Sequence, residues 1–285
     1  MSDVVNIFDR SLLRRRRERA RKDYKKFAFL EKEIAGRLAV RLTDLRPRFP
    51  LSLEIGARSG GLGNRLRSSG KIDTLIQSDL SISWATERGS DGPALTLDEE
   101  FLPFANRSLD AVFSALSLHW VNDLPGVLSQ IRQALKPDGL MLVAFLGGNT
   151  LAELHKSFVE AEAANASCFT QRISPFADLS DVSVLTQRAG FKLSVVDTDT
   201  ITVTYNNALD LMYDLRGMGE TNLTMKRQRI PLSRTLLNEV IKYYAKRFAG
   251  EDGKIQASFQ ILYITAWAPA KDQLKSILPQ YTASK

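Results

Sequence analysis

The chain has 285 residues, of which 44% are apolar and 25% are charged, a composition typical of globular proteins. A membrane-spanning chain is excluded, because the longest apolar run, residues 140–146, is far shorter than the ~18 residues a spanning helix needs. A single cysteine, Cys168, excludes an internal disulfide, and with only two histidines, His119 and His155, we expect no metal site.

The net charge of +7 is concentrated in the N-terminal part of the chain. Residues 1–50 hold 15 Lys and Arg against 7 Asp and Glu, so the rest of the chain is nearly neutral. Such a basic arm either binds an acidic protein or an anionic membrane, or it is a helix face that is simply solvated. Nucleic acid is a poor partner, because no aromatic residue interrupts the basic run before Tyr24. Arg10 and Arg14 to Arg17 precede the first long helix and are free to fold back over a cofactor cleft or to reach out. We expect residues 1–25 to meet an acidic or membrane surface.

The first residues also bear on location. They lack the apolar core of a signal peptide, and acidic residues such as Asp9 and Glu18 interrupt the basic pattern of a transit peptide. We therefore expect a cytoplasmic protein, peripheral to the inner membrane if its basic arm binds lipid.

Periodic apolar residues from Phe27 to Leu45 predict a long helix that ends before Pro47. A strand at 51–55 and a glycine-rich loop at 56–63 follow. The remaining predicted strands are 74–77, 94–97, 111–116, 140–145, 193–197, 200–205 and 259–267. The remaining predicted helices are 124–135, 151–166 and 182–189. This alternation predicts an α/β fold with a mostly parallel sheet.

Four segments are expected from this order. They are a basic N-terminal arm and helix (1–50), a cofactor-binding core (51–205), a polar helical insertion that covers one end of the sheet (206–254), and the last strand with a tail (255–285).

Three successive strand ends carry groups that suit a nucleoside. Gly56 and Gly60 let a ligand approach the loop backbone and the following helix N-terminus. Asp79 ends the second strand, where a carboxylate accepts ribose hydroxyls, and Asp98 ends the third, where it accepts an adenine amino group. Either aspartate alone is a plausible helix cap. The ordered set predicts a nucleoside cofactor.

The same segments resemble a known superfamily. Residues 53–60, Leu-Glu-Ile-Gly-Ala-Arg-Ser-Gly, resemble the first motif of class I S-adenosylmethionine methyltransferases, and residues 98–104, 108–113 and 135–140 resemble later motifs. The resemblance implies a Rossmann-like, seven-stranded sheet and S-adenosyl-L-methionine as cofactor. It implies six cofactor-binding residues: Glu54, Gly56, Gly60, Asp79, Asp98 and Glu99.

Arg58 departs from this motif, because it stands where the family has its middle glycine. A glycine lets the backbone pass against the cofactor, whereas an arginine can obstruct it, turn outward, or pair with the cofactor carboxylate. We expect cofactor binding to be weakened.

A narrower resemblance covers nearly the whole chain. It is carried by residues 7–10, 14–17, 116–125, 145–154, 173–176, 211–222 and 261–267. These look like the methyltransferase-like arginine-hydroxylase assembly factors of respiratory complex I, and a start close to the Phe-Asp-Arg segment resembles a bacterial member. The resemblance implies hydroxylation of an arginine on a complex I subunit. The malonyl-carrier O-methyltransferases of biotin synthesis are looser cousins.

No residue is identified as catalytic, but two groups are candidates. His119 and Trp120 follow the fourth strand, where they either serve as a base and a wall for the cofactor or simply cap and pack. In the insertion, three polar residues beside glycines either reach the substrate or cap helices: Arg216, Glu220 and Asn222. Two alternatives to the hydroxylase stay open: a true O- or N-methyltransferase, and a non-enzymatic assembly chaperone.

Overall fold

The structure is a computed structural model and describes residues 6–164 and 170–270. Cys168, the predicted helix end at residue 166 and the tail beyond residue 270 lie outside the described residues. Within the two described ranges, every helix is too short or too polar to cross a membrane.

Seven strands of the described chain form one sheet in the order β3-β2-β1-β4-β5-β7-β6. They are β1 (Leu51–Ile55), β2 (Thr74–Asp79), β3 (Ala94–Thr96), β4 (Leu109–Ala115), β5 (Leu135–Leu146), β6 (Lys192–Tyr205) and β7 (Ile255–Trp267). The first five pair in parallel, and β7 runs antiparallel between β5 and β6. The predicted mostly parallel, seven-stranded α/β sheet is confirmed.

Ten α-helices accompany the sheet in the described residues. They are α1 (Arg10–Ala20), α2 (Tyr24–Phe27), α3 (Phe29–Asp44), α4 (Gly61–Ser68), α5 (Ile82–Arg88), α6 (Leu124–Ala134), α7 (Ala152–Ala164), α8 (Leu179–Arg188), α9 (Ala208–Met218) and α10 (Arg234–Phe248). The apolar stripe of α3 is buried as its spacing predicts, with Ile34, Leu38 and Leu42 fully inaccessible to solvent.

Two apolar layers sandwich the sheet because successive strand residues point to opposite faces. On β4, Phe113 packs into the layer that contains α3 and α10, whereas Val112 packs into the layer that contains α6 and α8. Residues 140–146 of β5 are all buried, since helices cover both faces of a central parallel strand.

One strand prediction was wrong at the polar stretch around residue 198. The segments 193–197 and 200–205 form the single strand β6, which pairs with β7. Asp197 and Asp199 break the apolar pattern and mimic a turn. In the structure they pair with Arg41 and Arg37 of α3, so their charges are satisfied without leaving the strand.

Residues 206–254 lie between β6 and β7 in the chain, as predicted, and supply α9 and α10. Helix α10 packs on α7, whereas α9 packs on α1 and α2. We call residues 206–254 the insertion.

The N-terminal segment is held between the sheet and the insertion. The backbone amides of Ile7 and Phe8 both donate to Asn122 Oδ1, at 2.8 and 2.7 Å. The amide of Asp9 donates to the Leu223 carbonyl at 2.9 Å, and its carboxylate caps α1 by accepting from the Leu12 amide. These contacts place α1 over the carboxyl ends of the strands.

Candidate functional site

The carboxyl ends of the parallel strands bring the predicted site residues to one edge of the sheet. The loop after β1, Asp79 at the end of β2, and Asp98 and Glu99 after β3 lie together at this edge, a region that we call the nucleoside crevice. Residues 117–120, which follow β4, close it on the other side.

The loop after β1 has the backbone shape that its glycines predict. Gly56 and Gly60 have φ values of +72° and +78°, a region that glycine enters without strain. A Cβ on Gly56 would overlap the side chain of Ser117, so the loop passes directly against the end of β4. Arg58 also has a positive φ, of +37°.

Glu54 lies behind this loop. Its carboxyl accepts a hydrogen bond from Gln77 Nε2 at 2.7 Å and faces the first turn of α4. Burial raises the pKa of Glu54 to about 8. Glu54 thus connects β2 to the first turn of α4 and helps to hold the loop between β1 and α4 in place.

The carboxylate of Asp79 is engaged by the chain itself. Its two oxygens accept from the backbone amides of Ser81, at 2.8 Å, and Arg58, at 3.1 Å. Burial raises the pKa of Asp79 above its ordinary value, with the Arg17 charge opposing that rise. Asp79 therefore ties the ends of β1 and β2 together.

Helix α1 places a buried arginine in the nucleoside crevice. Arg17, which is 2% exposed, donates to Glu99 Oε1 at 2.7 Å and to Ser117 Oγ at 2.8 Å. The same guanidinium lies 3.7 Å from Asp79 Oδ1. It thus occupies the position between the acidic ends of β2 and β3.

A second arginine of α1 shares Glu99 with Arg17 and also binds Asp98. Arg10 pairs with Asp98 at 2.5 Å and also with Glu99. Burial opposes ionisation of Glu99, but the Arg17 and Arg10 guanidinium groups hold its pKa far below the usual range. The acceptors predicted for ribose and adenine are therefore both engaged by arginines.

Arg58 turns into the protein rather than outward. Its guanidinium donates to the Leu116 carbonyl at 2.7 Å, to Glu220 Oε1 at 2.5 Å and to the Tyr24 hydroxyl at 3.2 Å. Of the three orientations expected for Arg58, the outward one is wrong, because a carbonyl at the end of β4 and a carboxylate of the insertion both attract the cation.

Glu220 joins the insertion to the residues after β4. Its second oxygen accepts from Trp120 Nε1 at 2.7 Å and lies 3.0 Å from His119 Nε2. Burial opposes ionisation of Glu220, but the Arg58 charge lowers the pKa of this carboxyl to about 2. Burial lowers the pKa of His119, with Glu220 opposing, and its Nδ1 has no hydrogen-bond partner among the described residues. A neutral imidazole that donates to Glu220 fits this geometry.

A cavity of about 500 Å³ lies beside Glu220, and we call it the side cavity. Trp120, Glu220 and Asn222 line it, whereas Arg216 is exposed and outside the lining. Asn222 donates to the Gln171 carbonyl at 2.6 Å and so helps to shape the rim. Two of the three candidates in the insertion thus reach a cavity and the third does not.

The sequence leaves Arg10 and Arg14 to Arg17 free to fold back over the cofactor cleft or to reach outward, and it assigns none of them to the site. Arg10 and Arg17 are seven residues apart, which places them on one face of a helix, and this spacing was the available signal. Nothing in the local sequence indicates Ser117 as a partner of Arg17, or Tyr24 as a partner of Arg58.

The residue types suit a nucleoside, but in the observed arrangement their carboxylates already have partners within the chain. Asp79, Asp98 and Glu99 are already bound by main-chain amides and arginines, as described above. Because Arg10 and Arg17 of α1 bind Asp98 and Glu99, a nucleoside that uses these two carboxylates competes with the two arginines. In the described part of the chain, no group of three or more His, Cys, Asp or Glu residues is placed to hold a metal ion.

Comparisons with known proteins agree with this fold. A family model described as a methyltransferase domain matches residues 53–143. The YcgJ protein of Bacillus subtilis superposes with a TM-score of 0.57 at 13% identity, covering 83% of this chain and 99% of that one, which shows the fold alone.

Two kinds of relative match almost the full length. The mitochondrial arginine-hydroxylase NDUFAF5 of Danio rerio is 40% identical over 276 residues, which cover 95% of this chain and 85% of that protein. The malonyl-[acyl-carrier protein] O-methyltransferase of Xylella fastidiosa (strain M23) is 32% identical over 275 residues, which cover 94% and 91%. The chain therefore belongs to the family of methyltransferase-fold proteins that contains arginine-hydroxylase NDUFAF5 and, at lower identity, the malonyl-[acyl-carrier protein] O-methyltransferases.

Proposed function

We propose that this protein hydroxylates an arginine side chain on a subunit of respiratory complex I during assembly of that complex. Dioxygen and two electrons from an external reductant are the co-reactants: one oxygen atom enters a C–H bond of the arginine, and the other leaves as water. One observation carries the proposal. The 40% identity to arginine-hydroxylase NDUFAF5 extends over 95% of this chain, and so beyond the shared methyltransferase domain into α1 and the insertion. These two segments supply the residues that distinguish this site, Arg10, Arg17 and Glu220.

The nucleoside crevice is the proposed site for S-adenosyl-L-methionine. When bound, this cofactor supplies a sulfonium cation and an activated methyl group. Asp79 would accept from the ribose and Asp98 from the adenine, with Gly56 and Gly60 at the backbone approach and Glu54 and Glu99 in support. Arg58, bound to the Leu116 carbonyl, narrows the same space and is expected to weaken binding.

The basic arm of residues 1–25 divides into two groups with different tasks. Arg10 and Arg17 are engaged inside the crevice, whereas Arg14, Arg15 and Arg19 are exposed. We propose that the exposed group meets the acidic surface of an assembly intermediate, and that contact with an anionic membrane, if made, uses the same side chains. Such contact would place the protein at the inner membrane.

Methyl transfer to a carboxylated acyl chain is the second candidate function. The side cavity favours it, because buried apolar residues such as Leu146, Leu154 and Phe259 form its interior and arginines stand at its rim. An apolar chain that ends in a carboxylate is complementary to that arrangement. The malonyl-[acyl-carrier protein] O-methyltransferase relatives point to the same chemistry.

Mass spectrometry of the complex I subunit distinguishes these functions. Subunit purified from cells with and without this protein is compared as intact protein and then as peptides. We expect an added oxygen atom on one arginine only when the protein is present. An added methylene on a carrier-linked acid, with no change to the subunit, would support the methyltransferase. Normal assembly with a folded Glu220→Gln variant, without either modification, would support a chaperone.

A further inference from the structure

The side cavity has an uneven distribution of charge. Four arginines line it, and Glu220 is the only acidic residue among the described lining residues. The four are Arg16, Arg172, Arg227 and Arg229. Glu220 is buried at the inner end, whereas Arg229 is exposed and the other three are partly exposed. The rim is therefore basic, and the acidic group lies deeper.

Two of the rim arginines are already neutralised. Arg172 pairs with Glu162 at 2.9 Å, and Arg227 pairs with Asp9 at 3.0 Å. In the described part of the chain, neither Arg16 nor Arg229 forms an ion pair, and Arg229 makes no hydrogen bond either. These two guanidinium groups are available to an anion from outside.

Arg16 lies in surroundings that disfavour its charge. It is partly buried and donates only to the carbonyls of Thr221, at 2.7 Å, and Asn222, at 2.8 Å. Burial, together with the nearby charges of Arg227 and Arg19, lowers the pKa of Arg16 to about 10, although the charges of Asp9 and Glu220 oppose that shift. A carboxylate placed at the rim would offset both effects, because it supplies the opposite charge that carbonyl oxygens supply only in part.

Exposed apolar side chains border the same rim. Met225 is 46% exposed and Ile230 is 76% exposed, and they flank the segment that carries Arg227 and Arg229. The Met225 amide donates to the Ile7 carbonyl at 2.8 Å, so Ile7, which is 40% exposed, lies close by. Apolar and arginine side chains around an open cavity are typical of a surface that binds another protein.

On the proposed function, the basic rim restricts which arginine-containing segments can enter the side cavity. A substrate arginine that enters the cavity must pass positive charge to reach its inner end, where Glu220 is held by Arg58 and Trp120. Like charges repel, so a bare arginine on a neutral or basic segment is a poor match for this approach. An acidic residue close to that arginine would bind the rim and turn the repulsion into attraction.

We propose that the rim of the side cavity, through Arg16 and Arg229, binds an aspartate or glutamate of the protein substrate close to the arginine that is modified. This inference rests on the proposed function and specifies its substrate class as an arginine in an acidic segment. Docking on the rim directs the reactive side chain toward Glu220.

A peptide library tests this inference by binding alone. The probe is a library of short peptides with a fixed central arginine and with Asp, Glu, Asn, Gln, Lys and Leu in equal amounts at the flanking positions. Peptides retained by the immobilised full chain are sequenced. We expect Asp and Glu to be enriched about tenfold over Asn and Gln at one or two positions, and less so at high salt.

Charge-reversal variants identify the residues that cause the selection. Arg229→Glu should abolish the acidic enrichment at one position and replace it with a preference for Lys, and it leaves the fold intact because the side chain is exposed and unbonded. Arg16→Gln should reduce the acidic enrichment at least threefold. Arg14→Glu is the matched control, since Arg14 is exposed on α1 outside the cavity lining. Its selection should equal that of the unaltered chain.

Equal recovery of acidic and neutral peptides by the full chain would overturn the proposal. So would an acidic preference that Arg229→Glu and Arg16→Gln leave unchanged, because the anion would then bind elsewhere. The proposed function is judged separately, by the added oxygen on the cellular subunit. If that oxygen is absent and the acidic selection persists, the hydroxylase fails and the docking site stands. If the oxygen is present without acidic selection, the docking site fails.

Discussion

Replacing Arg17 with glutamine should tighten cofactor binding while it destabilises the protein. Arg17 closes the nucleoside crevice through its bonds to Glu99, at 2.7 Å, and Ser117, at 2.8 Å. On the proposed function, S-adenosyl-L-methionine competes with these bonds and so binds best to molecules in which they are broken. Its apparent affinity is therefore reduced by the small fraction of open molecules, and any change that favours opening increases it.

The size of the effect follows from those bonds. A hydrogen bond to a charged group contributes about 1.5–3 kcal/mol, so Arg17→Gln should raise the affinity for the cofactor roughly 10- to 150-fold. Removing one partner of a buried ion pair destabilises a protein by about 3–5 kcal/mol. The lower end applies here, because Arg10 still pairs with Glu99. A loss of about 3 kcal/mol lowers Tm by roughly 5–10 °C.

Titration calorimetry and thermal unfolding test this pair of effects. Both are measured on the unaltered protein, on Arg17→Gln, and on Arg14→Gln, which removes an exposed arginine of the same helix. A merely structural arginine would lower both affinity and Tm when it is removed. If folded Arg17→Gln protein binds S-adenosyl-L-methionine with unchanged or lower affinity, α1 does not close the crevice and the reasoning fails.

Three further predictions concern the loop and Glu220. Arg58→Gly restores the glycine of the motif and frees the Leu116 carbonyl, so the cofactor affinity measured by calorimetry should rise. The Tm should fall, because the ion pair with Glu220 is lost. Weaker binding would mean that Arg58 holds the cofactor. Gly56→Ala should unfold at lower temperature because its Cβ overlaps Ser117, and adding Ser117→Gly should recover part of the loss; no recovery would exclude that contact as the cause. The pKa of Glu220 is lowered from 4.5 to about 2, so its stabilising contribution is complete above pH 4.5 and is lost as the pH falls toward 2. The Tm difference between the unaltered protein and Glu220→Gln should therefore shrink over that range, and a constant difference would contradict it.

Local sequence predicted the strands, several of the helices and the edge of the sheet where the candidate site lies. The stripe of α3 and the apolar run of β5 follow from short-range spacing, because burial on one face of a helix or on both faces of a strand selects side chains at fixed intervals. The strand-end positions of Asp79 and Asp98 could be predicted for the same reason. Parallel strands carry their carboxyl ends to one edge of the sheet, whatever lies between them in the chain.

Only the tertiary structure decided what those residues bind. Arg58 meets Glu220 across 162 positions of sequence, and Arg17 meets Glu99 across 82. Such pairs depend on how α1 and the insertion pack over the sheet, and a charge pattern specifies no partner at that distance. The acidic stretch of β6 shows the same limit, since Asp197 and Asp199 suggest a turn until α3 brings them their arginines. Sequence spacing thus determines local structure, whereas the partners of a buried charge are set by the packing of distant segments.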